Sequence, residues 1–110
     1  MKLKSYRFNH ELFLQDNSKL VVKNFKTWLD FETKKELGLA FEVIILNDDS
    51  ENYFETFNVK IRNWTLEKNN LKIGDYIQIF DIEKASIFGQ YQNEVSFIAK
   101  IKKVEVSGHE

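Results

Sequence analysis

Leu39-Ala40-Phe41-Glu42-Val43-Ile44-Ile45-Leu46-Asn47-Asp48-Asp49-Ser50-Glu51-Asn52-Tyr53-Phe54-Glu55-Thr56-Phe57-Asn58-Val59-Lys60-Ile61-Arg62 is the stretch that decides the fold. Leu39, Phe41, Val43 and Ile45 alternate with other residues, and a period of two places them on one face of a strand. Asn47 to Asn52 is rich in Asn, Asp and Ser, whose short side chains bond to nearby backbone and tolerate tight turns. The chain then returns from Tyr53 to Arg62, with Tyr53, Phe57, Val59 and Ile61 expected inward. Phe54, Thr56, Asn58, Lys60 and Arg62 fall on the opposite face. The whole reads as a β-hairpin with one apolar and one polar, partly basic face.

Working outward, an earlier strand is expected from Lys19 to Phe31. Val21, Phe25, Leu29 and Phe31 share the core parity, and Val22, Asn24, Lys26 and Trp28 take the other. A polar turn with Lys34 and Lys35 links it to the hairpin. Beyond the hairpin the alternation stops between Asn63 and Asn70, where Trp64 to Lys68 is expected to form a single helical turn. A fourth strand is read from Tyr76 to Ala85 and a fifth from Glu94 to Val106, joined by a loop holding Phe88, Gly89, Tyr91 and Asn93. No connection contains the helix of ten or more residues that a parallel α/β fold requires, so the sheet is expected to be antiparallel. The fold class is therefore all-β: a five-stranded antiparallel barrel, with an SH3-like barrel or a small sandwich fitting the same pattern.

At 110 residues the chain has the size of one domain. The organisation expected is an N-terminal extension over 1–18, the barrel over 19–106 and a tail over 107–110. Residues 1–18 fit either a strand or a short helix covering one barrel end, through Leu3, Phe8, Leu12, Phe13 and Leu14. A hydrophobic content of 43% and a net charge of −1 are those of a folding chain. There is no cysteine, hence no disulfide or thiolate, which fits a reducing compartment and a cytoplasmic setting. No apolar run approaches the roughly 20 residues that span a bilayer. The start of the chain lacks a secretory apolar core and is read as part of the mature domain.

Catalysis is not expected. The two histidines, His10 and His109, lie near opposite ends of the chain, and acid, base or metal chemistry needs clustered groups. His10 is read as a surface residue and His109 as part of the tail. Asp48, Asp49 and Glu51 lack the alternating oxygen ligands and central glycine of a calcium loop and read as a solvated turn. The four glycines are too scattered for a phosphate loop. No cofactor or metal is implied.

Binding on a surface asks for less. Aromatics make up 15% of the chain, with ten phenylalanines and no proline. Rings either fill a small barrel or lie exposed where bases can stack. Leu71-Lys72-Ile73-Gly74-Asp75-Tyr76-Ile77-Gln78-Ile79 resembles the lead-in to the fourth strand of OB-fold nucleic-acid-binding proteins. Ser96-Phe97-Ile98-Ala99-Lys100-Ile101 is similar to their last strand. The likeness covers about Lys19 to Val106, and the chain resembles small single-stranded DNA-binding proteins of Gram-positive phages, plasmids and conjugative elements.

The resemblance implies a non-enzymatic protein that binds single-stranded nucleic acid, DNA rather than RNA, as an accessory in replication or transfer of a mobile element. The usual OB-fold face, strands two and three with the loops joining one to two and four to five, would then comprise Lys26, Trp28, Lys34, Lys35, Phe54, Asn58, Lys60, Arg62, Phe88 and Tyr91. Lys19 to Gly38 holds five lysines against three acidic residues, a local balance of +2, and local charge governs where screening acts over about 8 to 10 Å. The plainer reading makes Trp28 and Trp64 barrel plugs and Lys60 and Arg62 a solvated strand face. A second function class is a protein-interaction adaptor or homo-oligomer using Phe54, Tyr76 and Phe80 as an apolar patch. A third is an accessory domain of an enzyme whose catalytic chain is separate.

Overall fold

The computed structural model describes residues 1–3, 6, 9–91 and 93–105. The expected tail at 107–110, His109 included, and Phe8 lie outside the described residues. One short helix, α1 (His10–Asp16), precedes five strands: β1 (Leu20–Leu29), β2 (Glu36–Ile45), β3 (Thr56–Arg62), β4 (Tyr76–Phe88) and β5 (Glu94–Lys103). They pair in the order β1-β2-β3-β5-β4, and β4 pairs back to β1 through Leu20↔Ile77 and Val21↔Tyr76, closing the sheet on itself. The spatial order β4-β1-β2-β3 is a Greek key, with the long 63–75 connection returning the chain beside β1.

The sheet is mixed, which corrects the expectation of an antiparallel one. β3 and β5 run parallel through Asn58↔Ser96, Val59↔Phe97 and Lys60↔Ile98. The reason is topological: strand direction cannot alternate all the way round a ring with an odd number of strands. Any closed five-stranded ring therefore contains at least one parallel contact.

The helical turn expected between the third and fourth strands is also corrected. Thr65 to Asn69 forms only a hydrogen-bonded turn, with Lys68 N and Asn69 N donating to the Thr65 carbonyl at 3.1 Å. Asn69 ends it by bonding both backbone groups of Leu71 through its side chain. The helix lies instead before the strands. Asn9 caps α1 by accepting from Glu11 N and Leu12 N, and Glu11 stands in its first turn, both favourable at a helix N-terminus.

This helix plugs one end of the closed sheet. Phe13 is fully buried, its ring edge-on to Tyr6 and Phe57 and 6.2 Å from Phe97. Burying such a ring contributes roughly 1.5 to 3 kcal/mol. Two buried asparagines tie the plug to the β2–β3 turn. Asn17 donates to the Phe13 carbonyl and the Tyr6 hydroxyl and accepts from Ser50 Oγ at 2.5 Å. Asn52 accepts from Lys2 N and donates to the Lys2 carbonyl. Burial holds the Tyr6 phenol above its ordinary range, so it stays a neutral partner for Asn17.

The hairpin parity holds in its paired part: Leu39, Phe41, Val43, Ile45, Phe57, Val59 and Ile61 are buried. In β1 the expected parity shifts, because Lys23 is an extra residue between the pairs Val22↔Val43 and Asn24↔Glu42. Leu20 and Val22 therefore enter the core ahead of this bulge, and Phe25 packs on Phe41 after it at 5.4 Å. Leu29 and Phe31, expected inside, are exposed. No helix among the described residues is long and apolar enough to cross a membrane.

Candidate nucleic-acid interface

The outer face of β1, β2 and β3 carries three transverse rows fixed by register: Asn24–Glu42–Asn58, Lys26–Ala40–Lys60 and Trp28–Gly38–Arg62. The middle row continues through Ile98 of β5 to Lys84 of β4. Lys26, Lys60 and Lys84 thus stand on alternate strands with small or apolar residues between them. At about 4.8 Å per strand, neighbours in this row are roughly 10 Å apart. None of the three lysines forms an ion pair with a carboxylate within 4.0 Å among the described residues.

The Trp28 row explains why a ring lies beside these cations. Gly38 is packed so tightly that a Cβ there would collide with the Ile61 carbonyl, so no side chain separates Trp28 from β3. The Lys60 ammonium lies 5.2 Å and the Arg62 guanidinium 5.4 Å from the Trp28 ring. A cation over an exposed ring contributes about 0.5 to 1 kcal/mol. Trp28 is half-buried: it is neither a barrel plug nor a free ring. Arg62 also donates from Nε to both Glu83 oxygens, at 2.9 and 3.0 Å, and Lys23 offsets Glu42 at 3.9 Å.

Lys34 and Lys35 lie exposed in the β1–β2 loop. Asp30 organises this loop by accepting from Glu32 N at 2.9 Å and Thr33 N at 3.0 Å. These backbone donors, Thr33 foremost, hold its carboxyl below the usual aspartate range. Phe31, which the alternation puts in the core, is 89% exposed in this turn, 5.5 Å from the Lys34 ammonium. The missed signal is local: an aspartate before Phe31-Glu32-Thr33-Lys34-Lys35 makes a turn in which a ring has nothing to pack on. Lys84 was also missed, although its even parity with Tyr76, Gln78 and Phe80 pointed outward.

The remaining residues separate. Phe88 closes β4 opposite Glu94, and Tyr91 stands next in the β4–β5 loop, 77% exposed. That loop starts four residues along β5 from Ile98 of the lysine row, roughly 13 Å at 3.3 Å per residue. Phe54, expected outward on the third strand, lies before β3 with a positive φ of 68°. It stacks on Tyr53 at 4.2 Å. Tyr76 and Phe80 point outward from β4, so the patch named for a protein partner is not carried by one strand face.

His10 is half-buried and edge-on to Phe97 at 6.4 Å. Among the described residues no group of three or more His, Asp or Glu side chains is placed to hold a metal ion. Comparison with protein-family models, curated protein sequences and solved structures gave no match.

Proposed function

We propose that this protein is an OB-type, non-enzymatic binder of single-stranded nucleic acid, with a strand running round the outside of the closed sheet, across β1, β2 and β3 and on to β5 and β4. The observation that carries this is the row Lys26–Ala40–Lys60–Ile98–Lys84 beside Trp28. Cations that no carboxylate neutralises attract phosphates, and the small and apolar residues between them leave room for sugars and bases. Followed along the curved sheet, the four inter-strand steps of the row cover about 20 Å, the length of roughly six nucleotides at 3.4 Å each. That lies within the ~4 to 16 nucleotides an OB fold covers.

The Greek-key order and the single parallel contact also support the OB reading. Lys34, Lys35 and Phe31 extend the surface at the β1–β2 loop, and Phe88 and Tyr91 extend it at the β4–β5 loop. A sequence pI near 6.1 disfavours strong binding to duplex DNA, which relies on charge, more than single-strand binding, to which stacking contributes. DNA is proposed ahead of RNA on the resemblance alone, as is a role in a mobile element. The test is quenching of tryptophan fluorescence by a short oligothymidylate at low and moderate salt. Saturable quenching that weakens with salt is expected; none at low salt refutes the reading.

A further inference from the structure

The odd number of strands forces a parallel seam between β3 and β5, and that seam does not stay closed. Their pairing ends at Lys60↔Ile98, after which β3 turns away at Asn63, a non-glycine residue with φ 59°. Opposite, four steps of β4 from Phe80 to Lys84 face two steps of β5 from Lys100 to Ile98, with Asp81 at φ 52°. The two distortions leave a cleft of about 300 Å³ lined by the apolar residues Ile61, Ile98, Ala99 and Ile101 together with Phe80 and Trp64.

Two ion pairs border it: Arg62–Glu83 at 2.9 Å and Lys100–Asp81 at 3.2 Å. Each is about half exposed or more, and such pairs contribute little, so they open readily. An opened pair offers both donors and acceptors. Within these pairs the two acids balance the two cations, and the Lys102 ammonium, 5.7 Å from the Phe80 ring, adds one more cation at the edge. The apolar lining suits a flat ring, and the volume is at the small end of ligand sites. Arg62 joins this cleft to the Trp28 platform, because the same guanidinium faces both. A planar group with mixed donors and acceptors on its edge, carried by a strand on that platform, matches all of these features.

We infer that the seam cleft receives one unstacked nucleobase of the bound strand. The inference rests on the nucleic-acid reading and deepens it, since a base held by its edge gives the protein a base preference that lysines and a stacking ring cannot supply. Phe80 supplies the stacking surface, and the Arg62–Glu83 and Lys100–Asp81 groups read the edge.

The test uses the full chain with labelled methyl groups, followed by NMR while the four deoxynucleosides, which carry no phosphate, are added through the millimolar range. Saturable shifts of the Ile61, Ile98, Ala99 and Ile101 methyls are expected, unequal among the four bases and absent with inorganic phosphate. Phe80→Ala should weaken them about fivefold, near the lower end of what one stacked base contributes. Unmoved cleft methyls, in a protein whose tryptophan fluorescence an oligonucleotide quenches, would overturn the cleft and leave the proposed function standing. Cleft shifts without oligonucleotide binding would overturn both. Equal or larger shifts with N-acetyltryptophanamide would overturn the nucleobase in favour of a protein side chain.

Discussion

The plugged end of the closed sheet and the outer face of β1–β3 are built from the same kinds of residue and treat them oppositely. At the plug, Phe57 packs edge-on to both Phe13 and Phe97 in a buried centre, with Phe13 tilted against Phe97, and the polar groups nearby are the neutral, hydrogen-bonded Asn17 and Asn52. On the outer face, Trp28 has cations for neighbours, and Phe31 packs against no core. The plug uses its rings for stability, and the face holds rings where a ligand can reach them. What separates the two is the company of each ring: neutral amides that satisfy one another can be buried, whereas lysines without acidic partners keep a surface open to water and to phosphates.

The largest effect is expected at the plug. Phe13→Ala removes a fully buried ring and should cost about 3 to 5 kcal/mol in chemical denaturation. Oligonucleotide affinity of the remaining folded fraction should be unchanged, because Phe13 is fully buried in the plug against Tyr6, Phe57 and Phe97. Trp28→Ala should reverse the pattern, lowering affinity by about 1 to 3 kcal/mol with a smaller loss of stability than Phe13→Ala. If the two variants affected stability alike and binding not at all, the contrast between the regions would fail.

The smallest effect concerns the β1–β2 loop. Asp30 in the folded chain holds its proton less tightly than in the unfolded one, so its contribution is present above the ordinary aspartate pKa, about 4. It is lost as pH falls through the lower folded value. Amide exchange at Glu32 and Thr33 should therefore show less protection in acid than the intrinsic pH dependence accounts for, and Asp30→Ala should remove this dependence. Protection that Asp30→Ala left intact would assign the loop's order to another group.

The hairpin was legible because strict alternation and a polar tip leave little choice of register. The parallel seam was legible in principle, since five strands in a ring require it, but connection length alone does not reveal closure. The bulges at Lys23 and between Phe80 and Lys84 were not legible. A bulge is one or more extra residues without a marker of its own, and it exchanges the faces of the residues after it or enlarges a gap. Hence alternation alone puts Val22 on the wrong face ahead of the bulge at Lys23, and it misplaces Phe31 because the strand has already ended in the Asp30 turn, while Lys26, Asn58, Lys60 and Arg62 come out together because the register carries them onto one face. The plug was ambiguous for a different reason: seven helical residues carry too little periodicity to tell a helix from a strand.

The most direct measurement is the salt dependence of oligothymidylate binding by the wild-type chain and by a Lys26→Ala, Lys60→Ala, Lys84→Ala triple variant. Each phosphate neutralised on a single strand adds about 0.7 to the slope of log Kobs against log salt. If the three lysines each meet one phosphate, the slope should fall by about 2 in the variant while its melting temperature stays near that of the parent. An unchanged slope in a folded variant would contradict the account, because the transverse row would then not be where the strand lies.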